Sequence, residues 1–274
     1  TLAEVGGPDA LGEMQLFTRG SDRLNSAYSF DYLYSPDISP ELIERTALSW
    51  RDEPGEGWPS WAFSNHDAPR SVSRWHDGSD PTAYCKLLAM LLLSLRGNAI
   101  VYQGEELGLP QAYVPFERLQ DPEALANWPK TLGRDGARTP FPWTSDTEHA
   151  GFSKAAETWL PIDPAHYAMN AEAQATDPMS VLHFYRALIK MRRQVPALMT
   201  GGISFKASDG DIVDFVRAEG ESRVRVILNF GAETVELSSL GVTTKALMTS
   251  WRPPTETNVA VGSLPPFGGA LFMA

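Results

Sequence analysis

Glu4, His66 and Asp67 are the residues of this 274-residue sequence whose types and placement suggest chemistry. Glu4 ends a short apolar stretch, Thr1 to Val5, that is closed by Gly6 and Gly7. His66 and Asp67 follow another, Ser60 to Phe63, in the cluster Ser64-Asn65-His66-Asp67. Two carboxyl groups brought to one pocket can cleave a glycoside, one protonating the departing oxygen while another stabilises or traps an oxocarbenium-like centre. An imidazole beside them can donate to a sugar hydroxyl. Each residue also has a plainer reading. Glu4 can be an ion-pair partner, Asp67 a helix N-cap, and His66 a core histidine with both ring nitrogens satisfied.

The elements that must position these groups read as βα units: a short apolar strand, a polar loop, then a helix. Strands are expected over Thr1 to Val5, Ala27 to Leu33 with Asp31 at its end, Ser60 to Phe63, and Ala99 to Tyr102, which leads into Gln103-Gly104-Glu105-Glu106. Helices are expected over Ser39 to Trp50, with Ser39 as N-cap and Pro40 in the first turn, and over Pro81 to Arg96, closed by Gly97. A long irregular segment, Leu109 to Ala175, precedes an amphipathic helix from Pro178 to Gln194, which carries Val181, Leu182, Tyr185, Leu188 and Ile189 on one face. Beyond Gly201-Gly202 the period changes to short β runs: Ile212 to Ala218, Val224 to Phe230, Thr234 to Leu237, Thr243 to Ser250 and Gly269 to Met273. The expected fold class is therefore α/β, with one domain over residues 1–200 and an all-β domain over 201–274. Polar residues at the ends of parallel strands are where a (β/α)8 barrel keeps its active site.

Composition narrows the partners. A formal charge of -11 argues against a nucleic acid, whose binding rests on clustered Lys and Arg. The longest apolar run, Leu87 to Leu95, is too short to span a bilayer, so no membrane segment is expected. Cys85 is the single cysteine and lies in an apolar run, so a buried, inert thiol is expected; this suits a reducing compartment, and the cytoplasm is the expected location. The many aromatic residues fit a carbohydrate site as well as a core, and the core is the plainer account. The N-terminus reads as the inside of a strand, with no leader pattern.

Four blocks, in order, carry a resemblance. Ala3-Glu4-Val5-Gly6-Gly7 resembles the strand-five segment of α-amylase-superfamily glucosidases (glycoside hydrolase family 13). Phe63-Ser64-Asn65-His66-Asp67 is similar to their strand seven, and Gly97 to Glu106 to their strand eight. Arg134-Asp135-Gly136-Ala137-Arg138-Thr139-Pro140-Phe141-Pro142-Trp143 resembles the loop of the α-glucosidase and oligo-1,6-glucosidase subgroup. The resemblance implies that Glu4 is the general acid/base, that Asp67 stabilises the transition state and that His66 binds sugar hydroxyls. Arg134 would reach the innermost sugar, and Arg138 would brace the loop or the ligand. A surface pairing of Arg134 with Asp135 is the alternative. Phe30 resembles an aromatic bordering the leaving-group subsite, with a core position as its alternative. Glu105 and Glu106 are read as scaffold, because consecutive residues on an extended chain point to opposite faces.

The matched blocks correspond to strands five to eight of the family barrel, followed by its small β-sandwich domain. The resemblance implies that the chain is the C-terminal half of a retaining α-glucosidase that acts on terminal α-linked glucose of short oligosaccharides. The missing N-terminal half would hold the nucleophile and any structural calcium and would be this chain's partner. No metal or cofactor is expected here, and the chain alone is expected to be inactive. Half a barrel leaves strand sides unpaired, an aggregation liability. For Glu4 to act as an acid near neutrality, its pKa should be raised by burial and neighbouring carboxylates. The rival readings are a sucrose isomerase or trehalose synthase type of transglucosylase, a non-catalytic relative of the transporter heavy chains, and a free-standing carbohydrate-binding module on the β domain.

Overall fold

Apolar runs too short for helices become strands, and the capped segments between them become the helices that join those strands. In the computed structural model, which describes residues 1–50, 57–76, 78–131, 133–207 and 210–274, the first part alternates as expected. It runs β1 (Leu2–Glu4), α1 (Ala10–Thr18), β2 (Ser26–Ser29), α2 (Pro40–Leu48), β3 (Pro59–Ala62), α3 (Ser71–Trp75), α4 (Pro81–Ser94) and β4 (Asn98–Ile100). The strands form one sheet in the order β1-β2-β3-β4, and every neighbouring pair is parallel. Parallel neighbours require a crossover, which the helices supply. The register aligns Glu4 with Tyr28, Ser29 with Trp61 and Ala62 with Ile100, so all four C-terminal ends open on the same edge.

The helix starts follow local chemistry. Ser39 accepts from the Leu42 N–H at 3.2 Å ahead of Pro40, and Asp80 accepts from the Ala83 N–H at 3.0 Å ahead of Pro81. The strands are shorter than their apolar runs suggest. Pairing with β3 stops at Ser29, and the chain then turns, with the Tyr34 N–H donating to the Phe30 carbonyl at 3.2 Å. Phe30 therefore sits on a turn rather than on a strand. Helix α1 has no counterpart in the sequence reading. The segment from 109 to 175 is only partly irregular, since it contains α5 (Pro122–Asn127), α6 (Pro164–Tyr167) and the start of α7 (Ala171–Thr176), capped by Asp121, Asp163 and Asn170. The amphipathic helix α8 (Val181–Gln194) begins at its Ser180 cap and buries Val181, Leu182, Phe184, Tyr185 and Leu188. Short α9 (Pro196–Met199) ends the helical part.

Among the described residues from Gly202 onward the elements are strands, apart from one 3-10 turn. They are β5 (Gly202–Phe205), β6 (Ile212–Glu219), β7 (Ser222–Asn229), β8 (Val235–Glu236), β9 (Ala246–Thr249), β10 (Ser263–Leu264) and β11 (Gly269–Met273). Five form an antiparallel sheet in the order β5-β6-β7-β11-β9, and β10 pairs with β8. Alternation divides the faces of the larger sheet. Val213, Phe215, Val224, Val226, Leu228 and Leu271 join the core built on α4 and α8, while Ile212, Ile227, Ala270 and Phe272 pack towards Leu237 and Leu264.

Helix α4 is the hub of the core. From Tyr84 to Ser94 every residue is buried, and each of its fully buried leucines contributes about 1.5–3 kcal/mol by leaving water. A Cβ at Gly269 of β11 would come within 2.8 Å of the Met90 sulfur, so the strand lies close against the helix there and a larger residue would have to push the Met90 and Leu228 side chains aside. The carbonyls at the C-terminal end of α4 lack helical partners, and two arginines serve them. Arg192 of α8 donates to the carbonyls of Leu93, Leu95 and Gly97, and Arg217 of β6 to that of Ser94. Burial lowers the Arg192 pKa to about 10. Cys85 is buried as expected, and burial pushes its thiol up to about 12. Among the described residues no helix is long and apolar enough to cross a membrane.

Candidate active site

The open edge of the parallel sheet holds a cleft of about 320 Å³, lined by Glu4 and Tyr28 on one side and by Asn65, His66 and Tyr102 on the other. The loop after β3 is shaped by Asn65, whose side-chain oxygen accepts the N–H groups of both Asp67 and Ala68 at 2.8 Å. That turn points His66 and Asp67 outward. The His66 side chain is 65% exposed, which excludes the core-histidine reading, and its Nε2 lies 3.6 Å from Asp67 Oδ1. Asp67 caps no helix, because α3 begins later, after Arg70.

Two guanidinium groups converge on Asp67. Arg138 donates through Nη2 to Asp67 Oδ1 at 2.6 Å and through Nε to the His66 carbonyl at 2.7 Å, so it braces the loop as well as the carboxylate. Arg134 approaches Asp67 Oδ1 at 3.4 Å. Its main partner is Asp121, which accepts from Nε at 3.0 Å, from Nη2 at 2.8 Å and from the Arg134 backbone N–H at 2.7 Å. These hydrogen bonds hold the Asp121 carboxyl far below the usual carboxylate range and raise the Arg134 pKa. The alternative pairing with Asp135 is not what the structure contains. Asp135 is buried and accepts the backbone N–H groups of Gln120 and Asp121 at 2.6 and 2.8 Å. It therefore sets the chain path that brings Asp121 beneath Arg134.

Glu4 is exposed, and its strand β1 has a sheet neighbour on one side only. The burial required of an acid near neutrality is therefore not provided by the described residues. Phe30 is half-buried in a row of rings, edge-on to Tyr28 at 5.3 Å and stacked on Tyr34 at 5.5 Å, so it is neither a core residue nor a lining group of the cleft. Glu4, Tyr28, His66 and Tyr102 thus share one cleft, Asp67 lies on the loop beside it with Arg134 and Arg138, and Phe30 stands behind Tyr28.

Three contributors escaped sequence reasoning. Asn65 was legible as a turn residue, and Asp121 as a cap before Pro122, but neither signal names its partner. The third is Glu105. It lies on a 3-10 turn (Glu105–Leu107) after left-handed Gly104, not on an extended chain as expected. Its carboxyl is buried beneath the cleft, accepts the Tyr102 N–H at 3.0 Å and meets the Ser64 hydroxyl. Burial raises its pKa to about 7 despite those contacts. Glu106 turns the other way, towards an aromatic groove of about 460 Å³ that includes the exposed rings of Trp143, Phe152 and Trp159. Other large aromatics, such as Tyr32, Trp61, Phe63 and Phe215, are core residues. Among the described residues no group of three or more His, Cys, Asp or Glu is placed to hold a metal ion.

The alpha amylase catalytic-domain family matches residues 24–201. A probable alpha-glucosidase of Rhizobium meliloti (strain 1021) is 41% identical over 237 residues, which cover 85% of this chain and 42% of that protein. An oligo-1,6-glucosidase of Parageobacillus thermoglucosidasius is 33% identical over 251 residues, covering 80% of this chain and 44% of the relative. The chain thus spans less than half the length of these two relatives. Among solved structures, the alpha-glucosyl transfer enzyme XgtA superposes with a TM-score of 0.83 at 34% identity, over 99% of this chain and 50% of that one. The trehalulose synthase MutB from Pseudomonas mesoacidophila MX-45 gives 0.80 at 26% identity, over 96% and 53%.

Proposed function

This chain belongs to the alpha-amylase family, and on that premise we propose that it supplies the C-terminal half of the (β/α)8 barrel of a retaining α-glucosidase. The substrate would be the terminal α-linked glucose of a short oligosaccharide. The observation that carries the reading is the convergence of Arg134, Arg138 and His66 on Asp67, beside a cleft lined by Glu4 at the C-terminal ends of parallel strands.

In this reading Asp67 receives sugar hydroxyls and offers negative charge to the oxocarbenium-like transition state, while Arg138 fixes its direction and Arg134 meets the innermost sugar. Glu4 donates its proton to the glycosidic oxygen as a carboxylate from outside this chain attacks the anomeric carbon and the C1–O bond breaks. Glu4 then takes a proton from water, whose oxygen attacks the same carbon and releases the enzyme carboxylate. The acid/base shuttle needs only carboxyl groups and water. The completing half of the barrel would cover Glu4 and supply the burial that its acid role requires.

A second reading, transfer of glucose to a sugar acceptor in place of water, is favoured by the likeness to a structure described as an alpha-glucosyl transfer enzyme. Release of nitrophenol from a nitrophenyl α-glucoside tests the first half-reaction. The assay uses the chain alone and the chain mixed with a polypeptide that supplies strands one to four. Activity only on mixing supports the proposal, and activity of the chain alone overturns the assignment of the nucleophile elsewhere. No activity from a folded mixture favours a non-catalytic relative. A transferase reveals itself by nitrophenol release in excess of free glucose.

A further inference from the structure

We propose that Glu105 is a positioning residue for the candidate site, its carboxyl group tying the turn after β3 to the turn after β4. The residue is used by no step of the proposed reaction, yet it lies where the two turns meet. On one side its Oε2 accepts the N–H of Tyr102, which lines the cleft at the end of β4. On the other the carboxyl, whose Oε1 has no hydrogen-bond partner, lies against the hydroxyl of Ser64, which immediately precedes the Asn65-His66-Asp67 turn, donates to Ser71 Oγ at 3.2 Å and accepts the Ser71 N–H at 2.9 Å. Beside it stands Arg70, nearly fully buried, whose Nη1 and Nη2 donate to the carbonyls of Gln103 and Ala137 at 2.7 and 3.3 Å. The guanidinium thereby joins the loop of Arg134 and Arg138 to the same node. A small cavity of about 20 Å³ lies between Ser64, Arg70 and Glu105.

The charge on Glu105 is set by what faces it. Arg70 and Arg74 stabilise the anion, whereas Glu106 on its own turn opposes it; Cys85 of α4, Tyr185 of α8 and Tyr28 of β2 are the other titratable groups that feel it. Desolvation dominates, and the carboxyl gains its charge at about pH 7. Ionisation strengthens the acceptor of the Tyr102 N–H and draws the Ser64 hydroxyl from Ser71 towards the carboxylate, so both turns should respond to one titration.

The test is a pH titration of the backbone amides of Tyr102, Asp67 and Ala68 by NMR in the 274-residue chain. It is made in a His66→Gln background, so that no imidazole stands on the turn whose amides are read. All three amides are expected to share an inflection near pH 7 that Glu105→Gln abolishes and Glu106→Gln leaves in place. An inflection at Tyr102 that is absent at Asp67 and Ala68 overturns the proposal, as does its persistence in Glu105→Gln. If Glu105→Gln fails to fold, Glu105→Asp decides, because a shortened carboxyl must move the inflection at all three amides together. The catalytic consequence rests on the glucosidase reading: in the completed enzyme Glu105→Gln should lower kcat/KM by about tenfold to a hundredfold and flatten the neutral limb of its pH profile. The amide titration needs no activity, so failure of the positioning role and failure of the glucosidase reading are separable.

Discussion

Asp214 and Asp67 both meet arginine, one in the antiparallel sheet and one at the mouth of the cleft, and the two settings differ in what they leave free. Asp214 on β6 takes both Nε and Nη2 of Arg225 on β7, at 2.9 and 2.5 Å, with both side chains nearly buried, and Nη2 also donates to the Leu240 carbonyl. Asp67 takes one strong bond from Arg138 and a longer one from Arg134 through the same Oδ1, and more than a third of its side chain is exposed. The first pair is closed, its charges spent on each other. At the second, donors crowd one oxygen of a carboxylate that water, or a ligand, can still reach. An ion pair does structural or chemical work according to what it leaves accessible, more than according to its length.

Substitutions at the two aspartates should therefore separate activity from stability. In the completed enzyme Asp67→Asn is expected to lower kcat by about 10³-fold, or about 4 kcal/mol of barrier, while urea denaturation of the variant shifts by less than about 1 kcal/mol. Equal losses in both measurements would erase the contrast. Asp214→Ala should do the reverse, costing about 3 kcal/mol in the same denaturation experiment because it strands a buried guanidinium. Pairing Asp214→Leu with Arg225→Met should recover much of that cost.

Glu105 sharpens the comparison as a third type, a carboxyl buried beside arginine but held mainly by neutral donors. Its folded pKa of about 7 lies above the carboxyl reference of 4.5, so the native state binds the proton more tightly than the unfolded chain. The stability linked to it is complete below about pH 4.5 and is lost as the pH rises through about 7. A decline of about 3 kcal/mol between those limits is expected, and a pH series of denaturation curves should show it flattened in Glu105→Gln. The smallest effect belongs to Arg252 and Glu256, an exposed i,i+4 pair at 3.2 Å. Breaking it with Glu256→Gln should change stability by less than about 0.5 kcal/mol; a larger change would mean that exposure is the wrong criterion.

The βα alternation was legible because apolar runs ending in polar clusters mark strands that feed a common edge, and the Ser39-Pro40 cap marked α2. Asp67, His66 and Glu4 stood at such ends, and the cleft gathers their loops. Helix α1 was not legible, since Leu11, Met14 and Phe17 form only a weak stripe and Phe17 is exposed. Strands β5 and β10 are four and two residues long and owe their existence to their partners. The partner of Arg134 lay beyond local reasoning too. Asp121 is thirteen positions away across a loop, and only the buried Asp135 brings the two together. Pairings of that kind follow from three-dimensional closure, which no spacing rule contains.

The two arginines at the end of α4 bear on how this chain could be cut. Secondary structure changes type between α9 and β5, and a protein engineer would be tempted to divide the chain there. Yet Arg217 reaches back from β6 to the buried Ser94 carbonyl, and the face of the antiparallel sheet is one wall of the core around α4. Truncation after Gly201 would leave that carbonyl without its donor and bare a wall of leucine to water. The strand segment is a stopper for the helical layer, so the two should be expressed, transplanted and evolved as one piece.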